Sequence, residues 1–450
     1  MDDRYTTFLA RLKGYGDRDC LVCDGRTSSY ADLRLAIESS RDRIDALRLE
    51  PGSVVALRAD YSLGSVATLL ALLAAKMVVA MLPRDRDPDT LLADCQANGL
   101  LDLGTTGQWN WKSLSMTAAR HPLLSSLQTD GDAGIVLFTS GSTGPPKAAL
   151  QSLPRFLGKF SGPGKSLRTL AFLLFDHVAG LDTLFYTLAN GGTVVVTRDR
   201  SPQSVCRLIE QARVEVLSAS PTFLRLLCLV GGGQEYDLSS LKIITYGAEP
   251  MDPTTLALVN RHFPGCRISQ KYGTTETGSP RSLSRDNNST WLKIGGDGVE
   301  VKVIDDMLYL RCESTILGYL NAPSPVDSDG WYCTGDLVDV DGDWIRFRGR
   351  SGDQINVGGE KVSPSTVEQV LLELDFISAA MVYGEPNPIV GQVVAAKVVL
   401  TGAQDDPDTL RRIRVHCRSR LARHMVPVRI DFVYGSLSTP RQKIQRTLRN

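Results

Sequence analysis

The residues most capable of chemistry lie between positions 137 and 147. There Leu137 and Phe138 give way to Thr139, Ser140, Gly141, Ser142, Thr143, Gly144, Pro145, Pro146 and Lys147. Glycines let a backbone turn tightly and aim its N–H groups at an anion, the hydroxyls add donors, and the lysine adds charge. An apolar run over 135–138 enters the loop as a strand, so the stretch reads as a phosphate cradle. It is not the loop in which Gly-Lys precedes Ser or Thr, because here the lysine follows two prolines. Cys20 and Cys23 form the only close pair among nine cysteines. No second pair stands at zinc-site spacing, so these are read as plain thiols of a reducing compartment.

A loop of this kind needs a rigid frame. Leu33, Ile37, Ile44 and Leu47 recur at near-helical spacing, Pro51 and Gly52 end that helix, and residues 54–57 read as a buried strand. A helix over 64–76 and a strand over 77–82 repeat the unit. Further strand–helix pairs follow at 192–197 with 202–212, 214–218 with 222–229, and 243–246 with 252–261. This βαβ rhythm predicts an α/β fold with parallel, helix-covered sheets in a large N-terminal domain. Past about residue 295 short strands at 299–304, 307–311, 331–333 and 344–347 alternate with Asp/Gly turns, which predicts a β-rich subdomain. Gly349 to Asp353 looks like a boundary. Beyond it a fresh α+β unit is expected, with a helix at 365–374, strands at 377–383 and 393–400, and a helix at 408–421. The expected division is 1–349, a hinge at 350–353, and a small mobile C-terminal domain over 354–450.

Composition narrows the functional classes. The 450 residues are 42% hydrophobic and carry a net charge of zero, which gives no reason to expect nucleic acid as a partner. The longest apolar run, 66–82, is broken by Lys76 and fits a buried helix and strand better than a membrane span, which needs about 20 apolar residues. The charged N-terminus has no secretory signal, so a cytoplasmic protein is expected. From Arg411 to Asn450 there are eleven Lys/Arg against one acid, Asp431. That basic end could meet an anionic partner or be a solvated helix face.

The loop at 137–147 resembles the signature loop of the adenylate-forming superfamily, which includes acyl- and aryl-CoA synthetases, peptide-synthetase adenylation domains and luciferases. Four further elements follow in the superfamily's order. Tyr272-Gly273-Thr274-Thr275-Glu276 resembles its Tyr-Gly-x-Thr-Glu, Tyr332 to Asp336 its Tyr-x-Thr-Gly-Asp, Gly349-Arg350 its hinge motif, and the segment around Lys443 its catalytic-lysine motif. The resemblance runs from Tyr30 to Arg446. It implies ATP- and Mg²⁺-dependent activation of a carboxylic acid to an acyl-AMP, with pyrophosphate released.

By this resemblance Thr139, Ser140, Gly141, Ser142, Thr143, Gly144 and Lys147 hold the β- and γ-phosphates. Glu276 is the Mg²⁺ ligand and Thr275 bonds the α-phosphate. Asp336, assisted by Arg350, accepts from the ribose hydroxyls. Tyr272 stacks on adenine, with Gly247, Ala248 and Glu249 along its other side and Gly273 and Thr274 in the same motif. Lys443 bridges the carboxylate and the α-phosphate. Two positions depart from the pattern: Gln442 replaces a common glycine, and Gly352 stands where many relatives carry Asp or Lys.

In relatives the C-terminal domain swings between two half-reactions, and the second brings the segment Val357 to Lys361 to the site. Gly358 and Gly359 could line a pantetheine tunnel or simply form a hairpin turn. Phe175 to Gly180 resembles the Phe-His-x-x-Gly element of acyl-CoA synthetases, with His177 beside the acyl carboxylate. Asp176 could instead hold an amino acid's ammonium, but the spacing from His177 to Gly191-Gly192 favours an acid without one. His177, Gly180, Leu181, Ser220, Tyr246, Gly247, Gln270 and Thr274 are expected to form the acid pocket. The acceptor is expected in trans: CoA by preference, otherwise a holo acyl carrier protein or a nitrogen nucleophile. A non-catalytic AMP-binding relative is the remaining reading.

Overall fold

The computed structural model describes residues 4–104, 108–115, 119–139, 145–230, 236–402, 406–435 and 437. The expected α/β architecture is found, in four sheets.

The first sheet has seven strands in the order Arg267–Gln270, Ile243–Tyr246, Val216–Ala219, Arg168–Ala171, Thr193–Val196, Asp19–Cys23 and Arg26–Ser29. All neighbours are parallel except the last hairpin. The second runs Gly318–Tyr319, Lys147–Ser152, Gly134–Thr139, Val78–Met81, Val54–Arg58, Gly99–Leu103 and Trp109–Ser113, parallel at its centre and antiparallel towards both edges.

Side chains alternate across these strands with period two. Val55 and Leu57 face one core, while Val54 and Ala56 face another. The first of these cores also takes Leu21, Val194 and Val196 from the other sheet, so it fills the space between the two sheets. The helix Leu63–Ala74 lies there, with every residue from Ser65 to Leu73 buried. An amphipathic stripe would be out of place in such a setting, which is why this helix reads as a continuous apolar run. Lys76 ends the run in a left-handed turn (φ 59°) before the strand Val78–Met81. Among the described residues no helix is long and apolar enough to cross a membrane.

The β-rich part is a six-stranded antiparallel sheet containing Tyr332–Asp341 and Trp344–Arg350. Both strands are longer than the sequence pattern indicated, and the Thr334-Gly335-Asp336 segment is strand rather than turn. After a single 3₁₀ turn at Ser351–Asp353, a five-stranded sheet with helices Pro364–Leu372 and Pro407–Arg420 builds the C-terminal unit around its own core. No disulfide forms, and the described thiols are buried apart from Cys23, which is partly covered, and Cys333, which is exposed.

Candidate active site

Three structural edges converge on the predicted residues. The first is where strands Gly134–Thr139 and Lys147–Ser152 meet. They pair antiparallel with Thr139 directly opposite Lys147, so the two ends of the cradle segment are held side by side. Ser140, Gly141, Ser142, Thr143 and Gly144 lie outside the described residues, as does Lys443. The exposed Lys147 places Nζ 5.0 Å from the centre of the Tyr319 ring. Tyr319 belongs to the short edge strand paired with Ala149 and Leu150, and its hydroxyl donates to Glu276 Oε1 at 2.6 Å. One aromatic side chain thus touches the cradle's lysine with its face and the predicted metal carboxylate with its hydroxyl. Sequence reasoning missed Tyr319, because nothing local in Gly318-Tyr319 marks a contact 43 residues away.

Glu276 is held in a self-bonded turn. Thr274 Oγ1 accepts from the Thr277 N–H at 3.1 Å, and the Thr274 N–H donates to the Gly278 carbonyl at 3.1 Å. A Cβ at Gly273 would lie 2.7 Å from that same carbonyl, so only glycine allows the turn to close. Thr274 is buried inside the turn and Thr275 is left half-exposed at its apex. Burial and the charge of Glu276 push the Tyr319 and Tyr332 hydroxyls well above the usual phenol range, so both stay protonated as donors. Among the described residues no three His, Cys, Asp or Glu side chains gather as a metal site. A lone hard carboxylate beside a phosphate loop fits Mg²⁺ that arrives with phosphate and water ligands of its own.

The second edge is the antiparallel pair Tyr332–Asp341 and Trp344–Arg350, in which Asp336 lies opposite Arg350. Arg350 Nε donates to Asp336 Oδ1 at 3.0 Å, and the Tyr272 hydroxyl donates to Oδ2 at 2.7 Å. Burial lifts the Asp336 carboxyl above the usual carboxylate range, against the pull of Arg350 and Tyr272. A carboxylate has about four lone-pair sites, so these two bonds leave acceptor capacity for a diol. The Tyr272 ring stacks on Phe347 with centroids 4.8 Å apart and planes at 10°. One face of the ring is therefore already occupied, a packing partner the sequence did not indicate.

The third edge is the carboxyl end of the parallel sheet, the usual ligand-binding side of such sheets. Tyr246 and Gln270 end adjacent strands in register. Directly after them a Cβ at Gly247 would meet the Lys271 carbonyl oxygen at 2.7 Å, and Ala248 takes a left-handed φ of 68°. The Glu249 carboxylate accepts from the Thr222 hydroxyl (2.7 Å) and N–H (3.3 Å) at the start of helix Pro221–Leu229. Its side chain therefore serves that helix end.

The predicted acid-pocket residues divide. His177 caps helix Val178–Ala189, with Nδ1 accepting from the Ala179 N–H at 3.2 Å. That bond assigns the ring proton to Nε2, the donor a carboxylate would need. Tyr246 and Gln270 are buried and bond to each other through Tyr246 Oη and Gln270 Oε1 at 3.4 Å. Ser220 is buried and accepts from the Phe223 N–H as a helix cap.

Two further residues expected in the pocket are closely packed. Leu181 is fully buried in the core between the sheets, because its position turns it to the inner face of its helix. Gly180 is buried as well, and a Cβ there would lie 1.9 Å from the Leu174 carbonyl oxygen. Its hydrogen is therefore needed for helix packing. Gly358 and Gly359 form the tip of the hairpin between Ile355–Val357 and Glu360–Val362, with φ of 61° and 96°. They are exposed and bond within their own unit, to the Val390 carbonyl and Asn356 Oδ1. A two-residue turn with both φ positive needs glycine on its own account.

Residues 8–320 match the family model "AMP-binding enzyme", and residues 366–443 match "AMP-binding enzyme C-terminal domain". The chain belongs to the AMP-binding enzyme family. Among curated relatives it is 29% identical to a 2-succinylbenzoate–CoA ligase of Enterococcus faecalis, over 69% of this chain and 68% of that protein. It is also 29% identical to Triostin synthetase I of Streptomyces triostinicus, over 97% of this chain and 92% of that one. The fold is that of the anthranilate CoA ligase AuaEII solved with anthranoyl-AMP (TM-score 0.81, 20% identity, 98% and 95% coverage). Two groups of contacts stand out in this AMP-binding enzyme: Lys147 with Tyr319 and Glu276, and Tyr272 with Asp336 and Arg350.

Proposed function

We propose that this AMP-binding enzyme is an acid–thiol ligase that uses Mg·ATP to convert a small carboxylic acid into its acyl-AMP, and then passes the acyl group to CoA. The observation that carries the reading is the chain of contacts from Lys147 through Tyr319 to Glu276, set beside the Tyr272–Asp336–Arg350 cluster.

In the first step the acid's carboxylate oxygen bonds to the α-phosphorus and the α–β phosphoanhydride bond breaks, releasing pyrophosphate. The cradle residues Thr139 to Lys147 hold the departing phosphates. Glu276 would help hold the Mg²⁺ that accompanies them, whose charge would stabilise the leaving phosphates, while Tyr319 donates to its carboxylate on the other side. Thr275, at the apex of its turn, donates to the α-phosphate. Asp336 fixes the ribose, and Tyr272 offers its remaining face to the adenine. His177 Nε2–H orients the acid, and Lys443 stabilises the charge that builds between two anions. In the second step the thiolate attacks the acyl carbon and AMP leaves. Residues 350–353 act as the hinge between 1–349 and 354–450, and the cytoplasm is the proposed compartment.

The test is a panel of aliphatic and aromatic acids in a pyrophosphate-release assay, run alone, with CoA, and with a holo carrier protein. Acid-dependent release followed by acyl-CoA formation is expected. Release followed by an amide, or by an acyl group on the carrier protein rather than on CoA, would reassign the acceptor. An activity that survives Lys443→Ala would overturn the mechanism.

A further inference from the structure

Arg225 is a charged side chain outside the site, only 3% exposed. It sits in helix Pro221–Leu229 of the large domain, and it reaches across to the C-terminal unit. Nη2 donates to the carbonyl of Leu372 at 3.0 Å and to that of Ile377 at 2.9 Å. Nη1 donates to Thr255 Oγ1 at 3.3 Å within its own domain. Leu372 is the last residue of helix Pro364–Leu372 and Ile377 the first of strand Ile377–Asn387. The guanidinium therefore grips both ends of one tight connection, at the negative pole of a helix.

Among the described residues no carboxylate lies within ion-pair distance of Arg225, and its buried Nε makes no hydrogen bond. The group borders a small cavity between the domains, lined by Thr222, Asp252 and Thr255 on one side and Ser365, Gln369 and Ser378 on the other. Burying an arginine without a direct ion pair costs desolvation, which the nearby charge of Asp252 and two charge-assisted bonds to carbonyls partly offset. A contact balanced in this way holds an orientation and still lets go, because water can replace both carbonyls once the units part.

We propose that Arg225 is the latch by which the large domain holds the C-terminal unit in the orientation seen here, in which the Gly358–Gly359 hairpin is exposed. It is a positioning residue: it touches no substrate and acts through the placement of the C-terminal unit. The proposal rests on the two-step reading above, since only an enzyme that must present two faces of this unit needs a latch that releases.

The experiment measures the distance between spin labels on Ser39→Cys in the large domain and Ser419→Cys in the C-terminal unit. It uses the full chain with Cys333→Ser and no ligand. One dominant distance is expected for the otherwise unaltered chain. Arg225→Met should raise the population at other distances about 10-fold or more, as the loss of two charge-assisted bonds implies. Arg225→Lys should fall between the two, and Thr255→Val, which breaks only the bond inside the large domain, should leave the distribution unchanged.

An unchanged distribution in Arg225→Met, or a Thr255→Val effect as large as that of Arg225→Met, overturns the latch. If Arg225→Met does not fold, Arg225→Gln is read in the same way, and an unchanged distribution there also overturns it. The measurement needs no turnover. A chain that activates no acid would sink the ligase reading and leave this result to be judged alone.

Discussion

Replacing Tyr272 by phenylalanine removes one atom from the nucleotide cluster and keeps the rest. The ring still stacks on Phe347, but the 2.7 Å bond to Asp336 Oδ2 is lost. A hydrogen bond to a charged group contributes about 1.5–3 kcal/mol, and this acceptor is buried, so little solvent screening reduces it. That energy pins the carboxylate in the free protein. The part reaching a bound ribose is the lost preorganisation, which cannot exceed the whole. We expect AMP to bind about 10-fold more weakly at neutral pH, equivalent to about 1.4 kcal/mol, with roughly 100-fold as the ceiling. Calorimetric titration with AMP in the absence of Mg²⁺ isolates this effect from the phosphate side.

The pH dependence gives an independent sign. Burial already holds the Asp336 carboxyl above the usual carboxylate range, and Tyr272 is one of the groups pulling it down. As pH falls the unaltered protein should therefore lose AMP affinity earlier than an ordinary carboxylate would dictate. Tyr272→Phe should move that loss to still higher pH, and Asp336→Asn should abolish it. An acid limb that stays in place in Tyr272→Phe would refute the assignment of this bond to the ribose carboxylate.

Three other outcomes are expected. Glu276→Gln, whose amide oxygen can still accept from Tyr319, should lower Mg·ATP-dependent pyrophosphate release by about 100-fold while metal-free AMP binding holds; equal losses in both assays would argue against a metal role. Lys443→Ala should slow acyl-AMP formation by about 10²–10³-fold with AMP affinity intact, as read by single-turnover mixing. Gly180→Ala, whose new Cβ would fall 1.9 Å from the Leu174 carbonyl oxygen, should destabilise the fold by about 1–3 kcal/mol. A denaturation midpoint equal to that of the parent would show that the helix has room.

The sequence was most informative where structure is local. The turn around Glu276 and the Thr334-Gly335-Asp336 segment are each built from neighbours in the chain, so their pattern could be read there. The apolar run after Leu63 disclosed its burial because no face of that helix meets water. Contacts spanning the fold left no such trace: Tyr319 meets Glu276, and Arg225 meets Leu372, only after separate elements pack. Helical spacing fixes which residues share a face but not which way that face turns, so the burial of Leu181 between the sheets was not legible either. One signal was readable and passed over. Asp24-Gly25, both at positive φ, closes the hairpin between Asp19–Cys23 and Arg26–Ser29, and Asp-Gly is a strong hairpin turn pair.

The helix Leu63–Ala74 has a further consequence, for how the chain acquires its shape. Its walls come from two sheets whose strands are drawn from residues 19–23, 54–58, 78–81, 134–139, 168–171 and 193–196. Until both sheets stand, this helix has only water to face, and neither sheet can complete its inner surface without it. The large domain should therefore assemble all at once, despite holding two seven-stranded sheets, and a cut between them should yield two pieces that aggregate. The C-terminal unit draws its core wholly from residues 355–432, so it can fold on its own schedule, and backbone amides of Leu63–Ala74 should be the slowest in the protein to exchange with solvent.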